Sequence, residues 1–177
     1  MDEFLKYGDA VTIIKRAIEQ SRYRAAVSSN SEMLSLYYGI GRYVSANTRN
    51  GTWGTDAIHN ISMQLQKELP GLRGYSETNI KYMRLFYENW CPFVNRQPTA
   101  DNLEVDGQML LLKTRQSMAD DLNWNEFLSL SFSHHIEIIT KTTTIEERRI
   151  YIHECSVHAW SKYTLRDYIR SNLYQNR

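Results

Sequence analysis

The sequence predicts an all-α fold, a compact multi-helix domain, and three observations carry that prediction. Apolar residues recur at helical spacing along most of the chain, giving one buried face per segment. No stretch alternates apolar and polar residues long enough to make a strand. Prolines and glycines are few, three and eight among 177 residues, and tyrosines are many, which is not the composition of a disordered chain. The length suits one domain and suffices to bury a sizeable core.

The elements follow in order. Residues 3–26 read as a first helix with Ala10, Ile13, Ile14, Ala17 and Ile18 as its apolar stripe. The polar run Ser28–Ser31 is expected to interrupt or recap it. A second helix over 31–49 places Met33, Leu36, Tyr37, Ile40 and Val44 on one face. Gly39 and Gly41 inside it each cost about 1 kcal/mol against alanine, so they suit a site where another helix packs close to the backbone. Asn50-Gly51-Thr52-Trp53-Gly54 is a break. A third helix over 55–69 carries Ile58, Ile61, Leu65 and Leu69 on one side.

Pro70, Gly71 and Gly74 then end that helix and make a tight connection. Ser76 is placed to cap a fourth helix over 76–90, which buries Ile80, Met83, Tyr87 and Trp90. Helices 55–69 and 76–90 form a helix-turn-helix-like pair, with a turn longer than the usual three or four residues. Residues 91–107 read as a long exposed loop that includes the acidic run Asp101–Asp106. Helices are expected over 108–121, 131–140, 145–157 and 161–173. Thr144 and Glu147 form a capping box for the third of these, and Ser161 or Thr164 opens the last.

Charge restricts the partners. The formal net charge is +1, so a basic footprint must be local. Between Asp101 and Glu126, six carboxylates against Lys113 and Arg115 leave four net negative charges, a region that should not face phosphate. From Ser161 to Arg177, four cations against Asp167 leave three net positive charges. The apolar runs are far short of the roughly 20 residues of a membrane span, and the N-terminus lacks signal-peptide character. A cytoplasmic protein with two free thiols, Cys91 and Cys155, is expected.

Catalytic chemistry has little support. There is no phosphate-binding glycine loop, no HExxH and no GxSxG. His153 and His158 diverge around a helix axis, as do His134 and His135, so none chelates a metal at i,i+4. His135 reads as a hydrogen-bonded packing residue. Asp120-Asp121 lacks the carboxylate cluster and lysine that would hold Mg²⁺ at a scissile phosphate. No catalytic residue, metal site or cofactor is expected. Trp53, Trp124 and Trp160 read as anchors at helix junctions, with base stacking as the alternative.

The order of several motifs resembles one family. Leu36-Tyr37-Tyr38-Gly39-Ile40-Gly41-Arg42, Trp53-Gly54 with Ile58, Leu65 and Leu69, and Gly74-Tyr75-Ser76 with Asn79-Ile80, Met83-Arg84 and Phe86-Tyr87 are similar to successive stretches of the N-terminal domain of YhcG-like (DUF1016) proteins. Leu130-Ser131-Phe132-Ser133-His134 and Glu147-Arg148 with Tyr151, Trp160-Ser161 and Leu165 continue the resemblance across nearly the whole chain. Phe132 stands where the family usually has tryptophan. The resemblance implies a helical module, proposed to bind DNA, that precedes a PD-(D/E)xK-type nuclease domain. That domain would begin after about residue 177, so a single domain over 1–177 without its nuclease partner is expected.

Two functional readings follow, beside a third, an enzyme in its own right, that has no convergent acid–base set behind it. In the first, the chain is a DNA-binding or DNA-targeting module of a bacterial nuclease. Ser76, Glu77, Thr78, Asn79, Lys81 and Arg84 would then be presented to a groove, with Arg73, Lys162, Arg166 and Arg170 on phosphates. In the second, it is a protein-interaction or dimerisation module that positions the nuclease, and self-association into a homo-oligomer is open. Under that reading Lys81 and Arg84 merely pair with Glu77 and Glu88 along their helix.

Overall fold

The computed structural model describes residues 8–51, 53–71, 73–94 and 122–174; for residues 8–25, 27 and 94 only the backbone is described. Helices account for its regular structure, and no strand occurs among the described residues. They are α1 (Gly8–Arg49), α2 (Ala57–Glu68), α3 (Glu77–Val94), α4 (Trp124–Ser129), α5 (Phe132–Lys141), α6 (Ile145–His158) and α7 (Lys162–Arg170). The expected loop over 91–107 and helix over 108–121, with Asp101–Asp106 and Asp120-Asp121, lie outside the described residues except for the segment's first four positions. None of the helices is long and apolar enough to cross a membrane.

The first two expected helices are one. Ser28–Ser31 does not break α1, because its polar groups are satisfied without leaving helical geometry. Ser31 Oγ donates to Ser28 O at 2.9 Å and Ser35 Oγ to Ser31 O at 2.8 Å, both back along the helix. Asn30 Nδ2 donates to the carbonyls of Leu128 and Leu130, each at 2.7 Å, which ties α1 to the C-terminal end of α4.

Helix α3 lies along α1 and fills the centre. Ile80, Met83, Phe86 and Trp90 are essentially sealed from solvent. The expected stripe thus holds, with Phe86 added and Tyr87 only partly buried. Gly41 is where the two helices touch: a Cβ there would run into the Met83 carbonyl and sit 3.0 Å from Tyr87 Cβ. Gly39 has nothing within 4 Å of such a Cβ. The close approach therefore explains Gly41 and not Gly39. Helix α3 also runs past Trp90 through Pro92. Proline cannot donate to the Glu88 carbonyl one turn back, and Cys91 Sγ contacts that oxygen at 3.7 Å instead.

The main core joins Leu34 and Tyr38 of α1 and Met83, Phe86 and Trp90 of α3 to Phe127, Phe132, Ile136, Ile138, Tyr151, Ile152 and Leu165. Within the segment 122–130, where no helix is expected from the sequence, the short α4 forms, capped by Asn123 Oδ1 accepting from the amides of Asn125 and Glu126. A second, smaller cluster of Val44, Ile58 and Ile80 holds α2 against α1 and α3. Arg148 braces three elements, donating to Asn89 Oδ1 at 2.9 Å and to Thr142 Oγ1 at 3.3 Å while its guanidinium lies over Trp90. The Thr144 cap accepts from the Glu147 amide, and the Glu147 carboxylate answers by accepting from the Thr143 amide.

Candidate nucleic-acid interface

The connection between α2 and α3 is built by hydrogen bonds that consume part of the expected recognition set. Gly71 and Gly74 have φ of 85° and 91°, the left-handed region that glycine adopts without penalty. Ser62 on α2 donates to Tyr75 O at 2.9 Å. Ser76 caps α3, its Oγ accepting from the Asn79 amide at 3.3 Å. Asn79 turns its side-chain Nδ2 back to Gly74 O at 3.1 Å, so its donor holds the turn. Glu77 bonds both Lys81 Nζ and His59 Nδ1 of α2. The Lys81 bond, and after it the His59 bond, lowers the Glu77 pKa.

Arg73, Ser76, Thr78 and Lys81 are exposed at this corner, Ser76 while capping α3 and Lys81 while paired with Glu77. Arg84 faces inward. It donates to Thr48 Oγ1 of α1 at 3.2 Å and lies 3.9 Å from Glu88. Glu88 is chiefly the partner of Arg49, whose guanidinium forks onto it with two bonds of 2.8 Å, and Ser45 Oγ adds a third bond. The pairing of Lys81 with Glu77 is formed, while that of Arg84 with Glu88 is marginal.

The second group of expected residues is on α7, which packs on α5. Ser161 opens the helix, accepting from the Thr164 amide at 3.1 Å. Arg166 Nε and Nη2 donate to the two oxygens of Glu137 at 2.8 and 3.0 Å. Lys141 Nζ is 2.6 Å from the same carboxylate and Lys162 Nζ 4.0 Å. The Arg166 hydrogen bond above all, with Lys141 after it, holds the Glu137 pKa down at about 2, against the opposing effect of burial. Arg170 is exposed one turn further on. Tyr163, 72% exposed, lies under the Arg166 guanidinium at 5.7 Å.

Sequence reasoning missed His59, Glu137, Lys141 and Tyr163. The i,i+4 spacing of Glu137 and Lys141 was a visible signal, but the closing partner lies 29 positions away on α7. Of the three tryptophans, Trp53 packs edge-on against Tyr43 and Trp124 against Phe127. Trp160 lies parallel to both Tyr168 and His158, with centroids 4.2 and 5.9 Å away. His135 is fully buried, its Nε2–H donating to Phe127 O at 3.0 Å. An open groove of about 460 Å³ beside α6 includes Glu126 and His153, paired at 3.0 Å, with Glu146 and Arg149, and contains none of the expected site residues. No group of three or more metal-ligating side chains occurs among the described residues.

The family model described as the DUF1016 N-terminal domain matches residues 13–176. No curated protein and no solved structure matches the chain. With its helical architecture and a match over nearly its full length, the chain belongs to the DUF1016 N-terminal domain family.

Proposed function

We propose that this domain binds DNA and serves as the targeting module of a bacterial PD-(D/E)xK nuclease-family protein, contributing no catalytic residue of its own. The observation that carries the reading is local positive charge beside an exposed helix start in a nearly neutral chain. Arg73 and Lys81 flank the exposed start of α3, and Lys162, Arg166 and Arg170 line α7. Ser76 and Thr78 are exposed at a helix start, where free N–H groups and the positive end of the dipole favour a phosphate. The same geometry narrows the contact set. Arg84 is committed to α1, and Asn79 would have to release Gly74 O before its amide could pair with adenine.

Duplex binding measured against salt tests this. Each phosphate contact contributes about 0.9 to the slope of log K against log salt. Arg73→Ala and Lys81→Ala are each expected to flatten the slope by about 1, and Arg84→Ala to leave it unchanged while lowering stability. Salt-independent affinity, or none at low salt, would reject the reading. The rival, a protein-interaction or dimerisation module, is favoured by the exposed Met63, Leu69 and Tyr82 on the α2–α3 pair. It forecasts a concentration-dependent dimer in sedimentation and no salt-sensitive DNA complex.

A further inference from the structure

The α5–α7 ion cluster has more positive charge than its own carboxylate needs. Glu137 is buried, at 5% exposure, yet three cations converge on it from the surface. Counting exposed Arg170, and setting Asp167 beside Glu137 on the negative side, two positive charges are left over on this face. The donors are also unspent. Arg166 gives Glu137 two of its five N–H groups and keeps three. Lys141 and Lys162 each carry three donors and direct at most one to the carboxylate. A buried carboxylate that fixes the guanidinium by its Nε–Nη2 edge leaves the remaining N–H groups pre-aimed for an outside anion, at little further cost in side-chain entropy.

Beside this cluster stands an open aromatic ring. Lys162, Arg166 and Arg170 recur every fourth residue and Tyr163 lies next to them, so all four occupy one flank of α7 spanning roughly 100° at 3.6 residues per turn. Asp167 falls beyond Tyr163, toward the solvent side. Tyr163 is the most exposed large hydrophobic residue among those described, and Arg166 covers only part of its ring. A fixed cation cluster with an adjacent free π-face is the pairing that holds a phosphate and stacks its base, which a base-paired duplex cannot offer from the side.

We propose that the α5–α7 face binds single-stranded DNA, with Lys141, Lys162, Arg166 and Arg170 on phosphates, Tyr163 stacking an unpaired base and Glu137 as the positioning residue. This rests on the DNA-binding reading above and names its strand form. The test is fluorescence anisotropy of the whole chain with a labelled oligothymidine and, separately, a blunt duplex of equal length. Tyr163→Ala is expected to weaken single-strand binding about tenfold, to leave duplex binding unchanged, and to be rescued by Tyr163→Trp. Lys141→Ala should flatten the single-strand salt slope by about 1. Glu137→Gln is the discriminating variant. It raises net charge, so a merely electrostatic patch would bind more tightly, whereas a positioned one binds more weakly at temperatures where thermal melting shows the variant folded. Unchanged single-strand affinity in both Tyr163→Ala and Lys141→Ala overturns the inference. If duplex binding persists and responds to Arg73 and Lys81 alone, the inference fails and the DNA-binding reading stands. Absence of binding to either probe at low salt ends both.

Discussion

Two glycines two positions apart on α1 make a paired test of how α1 meets α3. At Gly41 a methyl group would meet the Met83 carbonyl, which is backbone and cannot swing aside, so the helices would have to part. Gly41→Ala is expected to cost about 2–3 kcal/mol, the upper range of overpacking effects. At Gly39 a methyl group meets nothing within 4 Å, and alanine's better helix propensity should stabilise by up to about 1 kcal/mol. Urea unfolding of both variants checks this, and a destabilised Gly39→Ala would mean that its site is tighter than the geometry states. From the sequence the two glycines were indistinguishable, since both break the same propensity rule. Only the position of the partner helix separates them. The same holds for Arg84 and Lys81. Both sat on the polar face of one predicted helix, but α1 captures Arg84 through Thr48 and leaves Lys81 at the surface.

At the scale of elements, the sequence was legible wherever a local rule acts alone. Ser76, Thr144 and Ser161 cap their helices as their spacing requires, and Phe132, His135, Ile136 and Ile139, at helical spacing in the expected 131–140 helix, are buried. It was illegible where tertiary contacts override local signals. The serine and asparagine run at 28–31 reads as a break, because such residues compete with the helix for hydrogen bonds. In the fold, Asn30 spends that capacity on α4 and α1 continues. Trp90 read as the end of α3 before Pro92, yet a proline near the helix end removes only one bond and the helix runs on. One element end is strained. Ala159 closes α6 in the left-handed region with φ of 50°, where residues with a Cβ pay roughly 1 kcal/mol. Ala159→Gly should therefore raise stability by about that amount, seen as a higher denaturation midpoint with an unchanged slope; a lower midpoint would show that the unfolded-state entropy of glycine outweighs the strain.

The whole molecule should carry a signature in its response to acid, set first by His135 and Glu137 of α5. His135 is walled in by Phe86, Trp90 and Phe127, and its Nδ1 has no partner among the described residues. Burial pushes its pKa from the ordinary 6.5 down to about 3, so the fold requires the neutral ring. As pH falls below 6.5 the unfolded chain takes up a proton that the native state refuses. Stability is then fully present above 6.5 and is lost at about 1.4 kcal/mol per pH unit on the way down. Glu137 acts lower. Its folded pKa near 2 lies under the ordinary 4.5, so its contribution is complete above 4.5 and fades only below it. Glu77 and Glu88, also lowered by their cationic partners, act in that same lower window. The interval from pH 6.5 to 4.5 is therefore the histidine's, with a loss of roughly 2–3 kcal/mol, a large part of the 5–15 kcal/mol typical of a domain. Below it the decline should steepen as the carboxylates join. His135→Phe keeps the ring packing and removes the proton, so its stability should run level from pH 6.5 to 4.5 even though Phe127 O loses a donor and the whole curve starts lower. Urea midpoints at pH 7, 6 and 5 for both proteins decide the matter: parallel curves would mean that the acid sensitivity of this fold arises elsewhere.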